Sequence, residues 1–297
     1  MKKLSSFFLL IIFFLSLCMG QLTFTYTKDA LILWFEKLVP SLFISMVLVR
    51  ILFEQQVLQI ICKPFHMIIE KIFRIDENSF TLVVSSIFLG YPTGSILIDQ
   101  QVQQGSLSHQ SAKRLLYTCS FATPGFIIMS CGVVLFHSSS IGWKLLFIQL
   151  LCGFILLFFT RSIPVISRPT QQKIPTFMQS LSKALLESGK TLYLIGGYLM
   201  LFMTLTSLIF HFLPEPLSFF LRSLSEFSSG IMSIASTSLP QAFKLIFISM
   251  LLGFGGCCVH MQVMSMLEAV HIPYYKYFLY RLVQAILSGI FAYFIFT

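Results

Sequence analysis

Apolar blocks of membrane-spanning length recur along the chain, separated by short polar segments. A span needs about 20 predominantly apolar residues. By that measure residues 31–53, 115–136, 141–160, 191–212, 242–259 and 278–296 read as crossings. Residues 7–19 form a shorter apolar run after Lys2 and Lys3, which is read as an uncleaved first helix leaving Gln21 outside. Cys18 and Gly20 are small enough for a cleavage site, but Leu17 is too bulky for a lipobox. Three stretches are mixed: residues 60–73 are amphipathic, and residues 81–98 and 217–237 are apolar but interrupted.

Read in order, each half runs as span, half-penetrating broken segment, span, span. The first half starts from outside and the second from inside. That is the hydropathy pattern of an inverted-topology repeat. The expected fold is all-α and polytopic, with broken or re-entrant hairpin segments. Residues 1–30 are a membrane anchor or signal-like segment, 31–160 the first repeat, 161–190 a basic cytoplasmic linker, and 191–297 the second, inverted repeat.

Composition narrows the function. Of the 297 residues 56% are hydrophobic and 10% charged, against roughly 25% charged in soluble domains. Soluble-enzyme classes are thereby excluded. The net charge of +9 does not indicate nucleic acid, because the basic residues cluster between apolar blocks. Arg161, Arg168, Lys173, Lys183 and Lys190 stand against Glu187 in the linker alone. The positive-inside rule explains this and places the linker in the cytoplasm. The cysteines (Cys18, Cys62, Cys119, Cys131, Cys152, Cys257, Cys258) show neither C-x-x-C nor a partnering His spacing, so no metal site or disulfide framework is indicated. No P-loop, H-E-x-x-H or G-x-S-x-G occurs, and the chain is read as no enzyme and as holding no cofactor.

Four places break the apolar periodicity. Gly90-Tyr91-Pro92-Thr93-Gly94 lies inside residues 81–98. Pro92 removes a backbone donor, and the two glycines admit conformations closed to other residues. Ser120-Phe121-Ala122-Thr123-Pro124-Gly125 interrupts the next span. In the second half, Glu226-Phe227-Ser228-Ser229-Gly230 and Gly253-Phe254-Gly255-Gly256-Cys257-Cys258-Val259-His260-Met261-Gln262 occupy corresponding places. Hydrocarbon offers a helix no backbone partners, so irregular chain is tolerated only where it lines a cavity or is buried in protein. Paired interruptions therefore point to a midplane solute site.

The candidate solute-binding residues are Gly90, Tyr91, Pro92, Thr93, Gly94, Ser120, Thr123, Pro124, Glu226, Ser228, Ser229, Gly230, Gly255, Gly256, His260 and Gln262. Helix starts at the breaks offer amides and partial positive charge, which suits an anion or a carbonyl. Glu226 and His260 are candidates for cation or proton binding; the alternatives are an interfacial carboxylate and a packing histidine. Glu36 and Lys37 read as a local pair.

These four stretches, with Lys113-Arg114-Leu115-Leu116 between them, resemble the YlbJ-like sporulation integral membrane proteins of the nucleoside-recognition or Gate-domain group. The resemblance runs from Trp34 to the last helix. It implies a transporter or pore of spore formation, with dipicolinate as solute and a membrane surrounding the forespore as location. Ser120 departs from the family's Asn, and Cys257-Cys258 from its Leu-Ser, so the identity of the solute stays open. The expected partners are a small solute and the lipid bilayer, with a homo-oligomer or other sporulation membrane proteins as further candidates. A cation-coupled nucleoside transporter and a non-transporting assembly protein are the alternative functions.

Overall fold

The computed structural model describes residues 2–168 and 174–297; Lys173 of the basic linker, and the side chains of Lys2 and Lys3, lie outside the described residues. Helices account for the architecture, and the described residues form no strand beyond isolated bridges joining Ile75 to Val165 and Leu107 to Ser167.

Helix α1, Lys2–Cys18, bends at Met19 into α2, Gly20–Glu54. At 35 residues α2 is about 52 Å long, more than the roughly 30 Å hydrocarbon layer. It widens to a π turn at Leu33–Leu38. Pro40 follows, and its ring clashes with the carbonyl four residues back. Short helices α3 (Val57–Cys62) and α4 (His66–Phe73) lead to the pair α5 (Glu77–Leu89) and α6 (Thr93–Gln103). Helices α7 (His109–Thr118) and α8 (Phe126–Leu135, π-wound) are separated by an irregular stretch, and α9 (Ser139–Phe159) is an unbroken span.

The same order returns after the linker. Helix α10, Phe177–Phe210, packs along α2. Helices α11 (Glu215–Ser225) and α12 (Phe227–Ala235) form a second short pair. Helices α13 (Gln241–Phe254) and α14 (Gly256–Met266) are one interrupted span, and α15 (Tyr274–Phe296) closes the chain. Residues 30 and 190, expected as segment boundaries, both fall inside continuous helices, α2 and α10. Residues 21–30 are therefore helix, continuous with the span that follows. Polar residues such as Gln21, Thr25 and Lys28 lower the hydropathy there without breaking the backbone ladder, and Thr25 Oγ1 donates to the Gln21 carbonyl at 2.9 Å.

Among the described residues five helices are long and apolar enough to cross a membrane: α2, α9, α10, α13 with α14, and α15. Large apolar side chains stand bare on their outer faces, among them Phe35, Ile44, Phe147, Tyr193 and Phe294. Exposed apolar area on that scale belongs against lipid. Inside, polar side chains join helices: Gln149 Nε2 of α9 donates to the Ser249 carbonyl at 2.9 Å and to Ser288 Oγ at 3.2 Å. Small residues let backbones approach. A Cβ on Gly132 of α8 would lie 2.6 Å from the Gly142 Cα of α9. All seven cysteines are free.

The paired helices are too short to cross: α5 holds 13 residues and α6 11, which at 1.5 Å each is about 20 and 16 Å. In each pair the two helices touch through a glycine. A Cβ on Gly94 would meet Ser86 Cα at 3.0 Å, and one on Gly230 would meet Ser223 Cα at 2.8 Å.

Candidate functional site

The four breaks meet. At the α5–α6 turn Gly90 takes φ 66°, ψ 180°, a region open essentially to glycine alone. It lies flat against the second break, since a Cβ there would stand 2.4 Å from Thr123 Cγ2 and 2.8 Å from Thr123 N. The next residue, joined to Pro92 by a cis peptide, donates its backbone amide to the Phe121 carbonyl at 2.7 Å. Hairpin tip and interrupted span are thereby bonded main chain to main chain.

Tyr91 also carries the contact to the second half. Its ring lies edge-on to that of Phe227 at 5.3 Å, and Phe126 of α8 meets the Phe227 ring at 5.5 Å. Gly255 and Gly256 both have positive φ, 85° and 74°. A Cβ on Gly255 would lie 3.7 Å from the Tyr91 ring, and one on Gly256 3.0 Å from Phe227 N. Four helices, α6, α8, α12 and α14, consequently start around one point, and their positive dipole ends converge there.

Glu226 stands at the second hairpin's turn, 2% exposed. Extended backbone (φ −132°, ψ 112°) makes it the N-cap of α12, and its carboxylate accepts from Ser228 N at 3.0 Å and Ser229 N at 2.6 Å. Among the described residues it has no ion-pair partner. Thr123 caps α8 in the same manner, accepting from Phe126 N at 3.1 Å. Two other hydroxyls, Tyr91 Oη and Thr93 Oγ1, are buried without a partner among the described residues.

A small cavity of ≈ 40 Å³ lies at the meeting point. A water needs about 10–15 Å³ of such space, so the cavity admits a few waters and no ring-bearing solute. Of the residues expected at the site, Tyr91, Thr123, Glu226, Ser228 and Gln262 line it. Gly90, Pro92, Ser120, Gly255 and Gly256 shape the breaks behind this wall. Thr93, Gly94, Pro124, Ser229 and Gly230 lie in the first turns of the helices that start there. Ser229 Oγ is already given to the Glu226 carbonyl at 3.2 Å.

His260 is not in the wall. It sits in an aromatic box of Phe254, Tyr274, Tyr277 and Phe278, with ring centroids at 4.6 to 6.1 Å, and its Nε2–H donates to the Phe254 carbonyl at 2.8 Å. The packing reading describes it. Glu36 and Lys37 are both exposed and away from the cavity.

Several participants are absent from the sequence reading. Leu38, Leu42, Ile195 and Leu199 of the long helices complete the cavity wall; nothing distinguishes them from other apolar positions. Arg281 had a signal, a charge within the apolar run of α15. It is 1% exposed and clamps the second break, donating from Nη1 to the Ser120 carbonyl at 2.6 Å and from Nη2 to the Tyr117 carbonyl at 2.7 Å. Those carbonyls end α7, where a cation meets the negative end of the helix dipole. Asp99, also buried, accepts amides of Glu268, Ala269 and Val270 at 2.8–3.2 Å and so ties hairpin α5–α6 to the chain after α14.

The chain is 23% identical over 316 aligned positions to the sporulation integral membrane protein YlbJ of Bacillus subtilis (strain 168), with 91% of this chain and 77% of the relative covered. No protein-family model matches, and no solved structure matches. The likeness is that of a distant relative, and the arrangement is that of a multi-pass membrane protein.

Proposed function

We propose that the chain is a membrane transporter or facilitator, and not an enzyme, for a small anionic or heteroaromatic solute. Dipicolinate during spore formation is the first candidate, in a membrane surrounding the forespore. The name of the B. subtilis relative supports the sporulation setting. In this reading residues 31–160 and 191–297 are two oppositely oriented repeats of the Gate type, and the solute binds between them. Three crossings in the first half, by α2, by α7 with α8, and by α9, leave the second half to begin from the opposite side.

The observation that carries the proposal is the convergence of four helix starts, two of them on hairpins too short to cross, around one small cavity whose wall includes Tyr91, Thr123, Glu226, Ser228 and Gln262. Such an arrangement favours negative charge and supplies hydroxyl donors from Tyr91 and Thr93 that have no partner among the described residues. The cavity is too small for such a solute, so passage requires the tips at Tyr91 and Phe227 to part. Flux of dipicolinate, nucleosides and related anions into proteoliposomes tests the proposal. Saturable uptake of one of them is expected; uptake no faster than in protein-free vesicles sinks it.

A second reading, cation-coupled transport, is favoured by Glu226, a buried carboxylate with backbone donors only. Glu226→Gln keeps one acceptor oxygen for the α12 amides. If Glu226 couples a cation, the variant retains solute binding and loses dependence on the sodium or proton gradient. Unaltered gradient dependence rejects that role.

A further inference from the structure

A second, larger cavity of ≈ 640 Å³ opens on the linker side, between the end of α2, hairpin α5–α6 and the start of α10. Its size suits a small molecule. Five glutamines face it, Gln56, Gln59, Gln100, Gln101 and Gln104, and their carboxamides both donate and accept. Its charged side chains are Arg50, Arg168 and Lys183 against Glu54 and Glu187. Lys183 is taken by Glu54 at 2.7 Å, whereas Arg50 reaches Glu187 only at 3.9 Å.

Arg50 is the anomaly. It is 8% exposed, yet among the described residues its sole hydrogen bond runs to Thr191 Oγ1 at 3.5 Å, and its Nε has no partner there. Two more buried atoms of the same wall are also without partners among the described residues, Glu54 Oε2 and Ser79 Oγ. A buried guanidinium held this loosely is costly. The same chain shows what a purely structural one looks like. Arg114 is saturated by Ile163 O at 2.6 Å, Phe73 O at 2.7 Å, Leu157 O at 2.9 Å and Thr160 Oγ1 at 3.2 Å.

We infer that Arg50 is the anion receptor of a linker-side vestibule, that it takes a carboxylate of the solute in a bidentate grip, and that Glu187 is its displaceable counter-ion. Guanidinium and carboxylate match as fork to fork. Glu187, with its side chain 35% exposed, is free to swing out, and the glutamines take the solute's remaining polar atoms. The vestibule wall includes Leu89, the residue before Gly90. Capture at Arg50 therefore occurs against the hairpin whose tip lines the small cavity. The inference rests on the transport reading and assigns it a site of capture.

The test is calorimetric titration of full-length protein in detergent with pyridine-2,6-dicarboxylate and, separately, inorganic phosphate. Removing the internal competitor in Glu187→Gln is expected to tighten dicarboxylate binding about threefold or more. Arg50→Gln and Arg50→Lys are each expected to weaken it about tenfold, since an ammonium cannot chelate. Unchanged or weaker binding by Glu187→Gln overturns the inference, and that variant decides alone if the arginine variants do not fold. Phosphate bound more tightly than the dicarboxylate overturns the carboxylate assignment. Proteoliposome flux separates the two levels. Unaltered binding and flux in Arg50→Gln sink the vestibule site and leave transport standing, whereas wild-type protein that neither binds nor carries any solute sinks both.

Discussion

Replacing Gly90 by alanine tests the physical basis of the site directly. Two costs coincide there. The backbone at φ 66°, ψ 180° excludes a Cβ at a cost of about 1–3 kcal/mol. Independently, the new methyl would lie 2.4 Å from Thr123 Cγ2 and 2.8 Å from Thr123 N. Thr123 cannot retreat freely, because its hydroxyl starts α8 by accepting from Phe126 N. Forced overpacking of this kind costs about 1–3 kcal/mol. Gly105 supplies the control, since its φ is also positive, 73°, but a Cβ there meets nothing within 4 Å. Gly105→Ala should cost about 1 kcal/mol. Buried free thiols at Cys119, Cys131, Cys152 and Cys258 make a thiol-reactive dye a reporter of unfolding in detergent. At roughly 2–4 °C per kcal/mol, Gly90→Ala should melt at least about 4 °C below wild type and Gly105→Ala no more than about 4 °C below. Equal shifts for the two variants would refute the claim that hairpin tip and broken span are in hard contact.

Thr93→Val removes a buried hydroxyl that bonds to nothing, so the melting temperature should hold or rise slightly while solute flux falls severalfold; a flux equal to wild type denies Thr93 a solute contact. Asp99→Ala strips the acceptor from the Ala269 and Val270 amides. Bonds to a charged group contribute about 1.5–3 kcal/mol each, so a loss of about 3 kcal/mol or more is expected by the same dye assay, and Asp99→Asn should lose about half. A melting shift under 2 °C for the alanine variant would show that this tie between the halves is idle.

How much of this was legible beforehand follows from which interactions are local. The breaks were visible because proline and paired glycines disrupt a helix whatever surrounds them, and Gly90, Pro92, Gly255 and Gly256 all sit at real interruptions. The length of α2 was not. Gln21, Thr25 and Lys28 lower hydropathy without changing the backbone, so a hydropathy reading ended the span at residue 31 where the helix runs on to Gly20. Roles set by distant partners were harder still. Glu226 and His260 look alike in sequence, each a lone ionisable residue near a glycine. Only packing separates them, one capping α12 at the cavity and the other enclosed by four aromatic rings.

Arg50, Arg114 and Arg281 make the same point from the opposite side. Each is a buried arginine beside apolar residues, and the sequence offers no means of ranking them. Their environments do. Carbonyls at helix ends saturate Arg114 and hold Arg281 at 2.6 and 2.7 Å, which spends those two charges on joining α4, α9 and α7. Arg50 is left with contacts at 3.5 and 3.9 Å inside a roomy, glutamine-lined space. A membrane protein does not maintain a desolvated cation in that condition for packing, because a methionine or leucine would fill the place at lower cost. The charge is retained for something that arrives from outside the fold.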